Sequence, residues 1–423
     1  LLKKDVAPTR ADDLFTGFTG WKPVAPKEVM LMRKLNTTYL VFTITIILVG
    51  IGLVMVYSSS APISAYQIRR SVQKDNPEQA SEMNLYHDAS YLQKQAIWAS
   101  LGLVAMLLLY YSDYQKLKEY GTWLMLVALL LLILVLIPRI GVMVNGARRW
   151  LRLGSFTLQP SEFAKLALII YMAKLLSEKD RQEIRTFLKG FLPALTVLAM
   201  FLILVILEPD FGTAVILGGI VFVIWYIGGM RLLHLSSLVA ASVPCLFVAI
   251  VIKQYRIDRL LGFFCRDKDI LGINYQLNQS LIAIGSGGLF GKGLGRGLQK
   301  YQFLTEAHTD FVFAIIGEEL GFIGAALVVL LFFLLMIQGI RIAIKAPDYF
   351  GGMLAAGIIT MIGLSAFINF LVVLGCMPTK GMTLPFISYG GSSLLVNMAA
   401  IGILLNISKY KEFVVYGNRQ RDG

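Results

Sequence analysis

The sequence predicts an all-α polytopic membrane protein of about ten transmembrane helices, with a large extracytoplasmic loop between spans seven and eight. Three observations predict it. Of the 423 residues, 57% are hydrophobic and only 15% are charged, where an ordinary soluble domain has about a quarter charged. Apolar runs close to the ~20 residues that cross a hydrocarbon core recur along most of the chain. Lys and Arg gather in alternate connections between those runs, as the positive-inside rule requires.

The runs fall in order at 38–58, 94–111, 121–138, 160–177, 190–207, 213–229, 235–253, 312–340, 351–374 and 392–408. Only "LEPDFGT" divides the fifth from the sixth, and the eighth contains Glu318 and Glu319. Residues 1–37 mix Pro, charge and small side chains and read as a mobile cytoplasmic tail. The membrane domain is 38–408, with the large outer loop at 254–311, and 409–423 form a second cytoplasmic tail. The first apolar run starts too far in, and is too long, for a cleavable signal peptide.

An even number of spans puts both termini on one side. The first tail carries Lys3, Lys4, Arg10, Lys22, Lys27, Arg33 and Lys34, and the connections after even-numbered spans hold Lys116, Lys118, Lys179, Arg181, Arg185, Lys189, Arg231, Arg341 and Lys345. That face is therefore predicted to be cytoplasmic. The net charge of +13 suits anionic lipid headgroups in such a chain, and nucleic acid is not implied. Arg148, Arg149, Arg152, Arg256 and Arg259 break the rule on the opposite face.

The polar stretches that a plain bundle does not need are "NGARRWLRLGSFTLQPSEFAK", "LEPDFGT", the segment from Tyr255 to Phe311, and "GCMPTKGMTLPFISYGGSS". All follow odd-numbered spans, which predicts a site at the outer membrane surface. Glu162 and Lys165 share a helix face one turn inside that surface. Intramembrane charges are expensive and usually functional, the alternative being an ion pair that only orients the helix. The long segment offers Asp258, Asp267, Asp269, Glu306 and Asp310 as carboxylates. Its glycines do not make a Walker A loop, because no G-x-x-x-x-G-K-[ST] is present. They read as a tightly packed, turn-rich element in which Lys292 and Arg296 are candidates for contact with lipid phosphates. Arg148, Arg149 and Arg152 surround Trp150, which suits either headgroup anchoring or a phosphate-bearing substrate. The three His and three Cys are scattered, which gives no metal-ligand spacing.

Seven motifs carry a resemblance: "VYSSSA", "NGARRW", "QPSEFAK", "EPDFGT", "AIGSGGLFGKGLG", "EAHTDFVFAIIGEELGFIG" and "MTLPFISYGGSS". In these the chain resembles the SEDS family of bacterial peptidoglycan polymerases, the FtsW, RodA and SpoVE group, over nearly everything after residue 38. "VNGARRWLRLG" and "EAHTDFVFAIIGEE" are more similar to the FtsW branch than to RodA. The resemblance implies an inverting glycosyltransferase that joins lipid II units into glycan strands outside the cytoplasmic (inner) membrane, in septal wall synthesis. Transport of lipid II and a RodA-type elongation role are the alternatives. The family's catalytic aspartate matches Asp269, with Asp267 as the competing register because Ile270 and Asn274 depart from the family pattern. Glu162 and Lys165 match its supporting charge network. Arg148, Arg149 and Lys380 are candidates for neutralising the leaving pyrophosphate. His308, Thr309 and Asp310, with Pro385 and Ser388, match structural motifs that brace the loop. The expected partners are lipid II, the nascent strand, a class B penicillin-binding protein, other division proteins and membrane lipid; a Mg or Mn ion is a possible cofactor.

Overall fold

The computed structural model describes residues 37–60, 90–144, 146–154, 156–251, 254–264, 274–301, 303–304 and 306–421. Each predicted apolar run forms a helix. They are α1 (Thr37–Ser60), α2 (Ser90–Tyr111), α3 (Gln115–Leu136), α4 (Pro160–Ser177), α5 (Leu192–Leu207, entered through a π-helical turn at Phe187–Phe191), α6 (Phe211–Ile227) and α7 (Leu232–Val251). Two shorter helices follow, α8 (Gln254–Phe264) and α9 (Tyr275–Gly287), then α10 (Val312–Ile344), α11 (Tyr349–Val373) and α12 (Gly391–Arg421). Among the described residues, seven helices are long and apolar enough to cross a membrane. The remaining predicted runs are α4, which carries Glu162, Lys165 and Lys174, α6, which has 17 residues, and α7, which contains Pro244. The protein is an integral membrane protein. Leu, Ile, Val and Phe side chains stand exposed along its flanks, where lipid is the solvent.

Local chemistry sets the helix starts. Pro160 occupies the first turn of α4, where its missing N–H is no loss. Asp210 caps α6 by accepting from the Thr213 N–H at 3.2 Å, and Asp348 caps α11 by accepting from the Gly351 N–H at 3.3 Å. The centre of the bundle is α11, packed on α4, α6 and α10, with α12 beside it against α2.

Two features depart from an all-helical plan. The connection between α3 and α4 folds into a three-stranded antiparallel sheet, β1 (Gly141–Val144), β2 (Ala147–Leu153) and β3 (Phe156–Leu158), in the order β1-β2-β3. Gly141 pairs with Leu151, and Leu151 with Leu158. Beyond the helix ends, backbone groups need partners of their own, and this connection supplies them to itself. Second, part of the connection between α7 and α10 folds back on the bundle. After α9 a glycine-rich turn lies along α10 at Gly321, where the helix breaks with φ 68°. The Phe322 and Ile323 N–H groups donate to the Gly288 and Leu289 carbonyls, and those of Lys292 and Gly293 donate to the Glu318 and Glu319 carbonyls.

That turn is an anion cradle, filled by the protein's own helix. The Glu318 carboxylate accepts from the Leu298 and Gln299 N–H groups at 2.9 and 3.1 Å and pairs with Lys292 at 2.8 Å. Glu319 accepts from the Gly295 N–H at 3.1 Å, from Ser58 of α1, and from Lys300 at 2.7 Å. Successive backbone N–H groups in such turns form a concave anion site. Lys292, expected at lipid phosphates, is thus committed to Glu318. The "VYSSSA" motif has its reason here too, in Ser58.

Candidate functional site

A cavity of about 1260 Å³ opens at one end of the bundle, and all four polar stretches line it. β2 contributes Arg149 and Trp150, the α5–α6 junction contributes Asp210 and Phe211, and α8 and α9 contribute Arg256, Arg259 and Gln276. The turn before α10 adds Glu306 and His308–Asp310, and the segment before α12 adds Lys380, Pro385 and Tyr389. Glu162 and Lys165 also line it.

Glu162 and Lys165 form an ion pair at 2.9 Å, with side chains 8% and 6% exposed. The second carboxylate oxygen of Glu162 has no hydrogen-bond partner. The pair is therefore half satisfied, inside a cavity wall. Asp269 and Asp267 lie outside the described residues, so the contact expected between Lys165 and Asp269 does too. Arg256 and Arg259 of α8 and Gln276 of α9, on either side of that segment, line the cavity.

The predicted arginine pair divides. Arg149 lines the cavity and donates to the Glu208 carbonyl at 3.0 Å and to that of Pro209. Arg148 is not among the lining residues. They are neighbours on β2, and side chains alternate along a strand. Lys380 stands over the Phe211 ring at 5.0 Å, and Arg256 approaches the same ring at 5.4 Å. Arg259 donates to the Thr379 carbonyl at 3.1 Å, which ties α8 to the residue beside Lys380. In the sequence Arg256 and Arg259 stand out only for breaking the charge rule. Their i, i+3 spacing on one helix face was the available signal.

His308, Thr309 and Asp310 brace the fold through their main chain. The His308 carbonyl accepts from the Tyr389 N–H at 2.9 Å, that of Thr309 from the Ser388 hydroxyl, and that of Asp310 from Asn369 Nδ2 at 2.9 Å. Ser388 also accepts from the Leu384 N–H at 2.8 Å, which closes the turn around Pro385. All three residues also line the cavity, where the Thr309 hydroxyl donates to the Glu306 carboxylate at 2.9 Å. Glu306 sits nearby at φ 60°, an uncommon conformation for a residue with a side chain.

Burial shapes the charges. It pushes the Asp310 carboxyl up to about 7, helped by Glu306 and opposed by Arg259 and Arg149. It pushes Glu208 up to about 8, helped by Asp210 and opposed by Arg149. It lowers Lys380 and His308, against the pull of Asp210 and Glu306 respectively. Among the described residues no group of three His, Cys, Asp or Glu side chains could hold a metal ion. The cavity thus joins desolvated cations, the buried Asp310 carboxyl with its raised pKa, and aromatic walls.

Known proteins bear on this arrangement. The profile of the FtsW/RodA/SpoVE group, described as cell cycle protein, matches residues 38–413. The chain is 40% identical over 384 residues to the stage V sporulation protein E of Bacillus subtilis, covering 91% of this chain and all of that one. It is 42% identical over 358 residues to a probable peptidoglycan glycosyltransferase FtsW of Geobacter metallireducens, covering 84% of this chain and 90% of the relative. Among solved structures, it resembles a chain from work on the structural coordination of polymerization and crosslinking by a peptidoglycan synthase complex. That likeness has a TM-score of 0.66 and 28% identity, over 88% of this chain and 97% of the other. It also resembles the rod shape determining protein RodA of Thermus thermophilus, with a TM-score of 0.61 and 28% identity over 88% and 96% of the two chains. The chain belongs to the FtsW/RodA/SpoVE family of cell cycle proteins.

Proposed function

We infer that the chain is a peptidoglycan glycosyltransferase that polymerises lipid II at the outer face of the bacterial cytoplasmic membrane, in septal wall synthesis, with both termini cytoplasmic. The single observation that carries this is the convergence of all four polar stretches on one cavity at one end of the bundle. The relatives named as FtsW support the division role.

The reaction needs a base, a cationic seat for the leaving group and shelter from water. Asp269 takes the proton of the acceptor sugar's 4-hydroxyl as that oxygen attacks the donor's anomeric carbon. The bond from that carbon to the diphosphate breaks, undecaprenyl diphosphate leaves, and one displacement turns an α-linked donor into a β-linked product. Lys165 keeps Asp269 ionised, and Glu162 holds Lys165. Arg149, Arg256, Arg259 and Lys380 gather at the cavity, and guanidinium and ammonium groups there offset the charge of a departing diphosphate. A Mg or Mn ion would enter with that diphosphate, because such ions are commonly held by substrate phosphates and one or two carboxylates. Outside the Glu162–Lys165 pair the cavity carboxyls are Asp210, which also caps α6, Glu306 and Asp310. A class B penicillin-binding protein and other division proteins are the proposed partners, which the synthase-complex neighbour supports.

Transport of lipid II would need charged groups along the whole membrane depth. Between Lys165 and Lys174 the buried positions of α4 are Ala167, Leu168, Ile169, Ile170, Met172 and Ala173, all apolar. The test is to give purified protein fluorescent lipid II, with and without its cognate partner, and to assay lipid II transport in liposomes in parallel. Long glycan from the first assay supports the reading; transport without polymer overturns it.

A further inference from the structure

The cavity has two chemically different parts, and the reaction above uses chiefly one. The ionic part is contiguous through Lys380, Phe211, Arg256 and the Arg259–Thr379 bond. The other part is made of aromatic and neutral polar side chains, and it too is contiguous. Tyr91, Gln95 and Trp98 follow one face of α2 at i, i+4 and i+7. Gln95 is buried and holds the segment before α12, donating to the Ser388 carbonyl at 3.2 Å and accepting from the Gly390 N–H at 3.4 Å. The Trp98 indole lies so close to Gly391 that a Cβ there would meet its Nε1 at 2.2 Å. Beside it, the Tyr389 and His308 rings are 5.6 Å apart, and Tyr91 backs each of them at 5.2 Å. In the same lining, Asn397 donates to the Ser393 carbonyl at 2.7 Å, and Ser392 accepts from the Gln159 N–H at 3.0 Å.

Trp98, His308, Tyr389, Gln159 and Asn397 all line the cavity. His308 Nδ1 has no hydrogen-bond partner. A buried polar atom left unpaired is costly unless something fills it. Burial favours the uncharged imidazole, so it offers a donor and an acceptor without charge. A pyranose has the matching surface, an apolar face of axial C–H groups and a rim of neutral hydroxyl and amide groups. Aromatic walls with a few placed polar groups are the usual form of a small-ligand site.

We propose that this wall is a sugar subsite, in which Trp98 stacks on a neutral N-acetylhexosamine ring and His308 and Asn397 bond its hydroxyl and acetamido groups. Tyr91 is a positioning residue that holds the His308 and Tyr389 rings. The proposal rests on the glycan-polymerase reading and adds to it the place where a sugar is gripped before transfer.

The test uses full-length protein in detergent and chitotetraose, a neutral β-1,4-linked N-acetylglucosamine tetramer with no lipid or diphosphate. Binding is followed by saturation-transfer NMR. Wild type is expected to bind saturably, and Trp98→Leu to bind about tenfold more weakly or worse. Trp98→Phe, which keeps an aromatic face, should stay within about threefold of wild type. Lys189→Ala, at a residue outside the cavity lining, should leave chitotetraose binding unchanged. In turnover, Trp98→Leu should raise KM for lipid II by a larger factor than it lowers kcat, a split that general loss of fold does not give. Equal binding by wild type, Trp98→Leu and His308→Ala overturns the subsite, as does no binding by wild type. Wild type that binds chitotetraose but makes no glycan sinks the polymerase reading and leaves the subsite standing.

Discussion

Glu162 and Lys165 show how much one buried contact can carry. Removing one partner from such a pair strands the other charge, at about 3–5 kcal/mol, whereas replacing both with apolar groups of similar volume is often neutral. Glu162→Gln should therefore lower the melting temperature sharply. The double variant Glu162→Met/Lys165→Met should recover most of it while remaining inactive, as thermal unfolding and glycan synthesis would check. Glu208 makes a pH prediction. Its carboxyl is raised from 4.5 to about 8 by burial, so the folded state keeps a proton that the unfolded chain gives up. The stability linked to that proton is fully present below about 4.5 and is lost as pH rises through about 8. Melting temperature should fall between about pH 5 and 8 in wild type and level off above that, and Glu208→Gln should remove this part of the fall. Both residues of the ion pair were legible from their spacing in an apolar helix. The division between Arg148 and Arg149 was not, because it depends on a strand that the membrane pattern hid.

Among the elements, the break in α10 has the clearest physical cause. Gly321 has φ 68°, and a Cβ there would meet the Gly291 nitrogen at 2.3 Å. Gly321→Ala should cost at least about 1–3 kcal/mol from backbone strain alone. Glu319→Gln should also destabilise, because it takes the negative charge from buried Lys300. Thermal unfolding of the two variants checks both statements. The sequence showed the glycines and the two glutamates but not that they meet, since they lie some twenty residues apart and only packing joins them. The sheet had a signal that the hydropathy reading passed over. Asn-Gly between "GVMV" and "ARRWL" is a strong two-residue hairpin mark, and β1 and β2 flank it. Short strands outside the lipid do not register in a search for twenty-residue apolar runs.

Across the molecule, the apolar runs and the charge rule located the helices and grouped the polar stretches, because lipid imposes those patterns directly on sequence. The cavity's inner arrangement, including the α2 wall and the α8 cations, needed coordinates, because long-range packing decides it. Orientation is open to direct measurement. Cysteines introduced at the exposed Met143 and Leu188, in a background without native cysteines, should label from opposite sides of the membrane, Met143 from outside. The most direct measurement is polymerisation of fluorescent lipid II by wild type and Asp269→Asn, each with its cognate partner and each verified as folded. The account predicts long glycan from wild type and none from the variant. Normal polymer from Asp269→Asn would contradict it and move the base elsewhere, with Asp267 examined first.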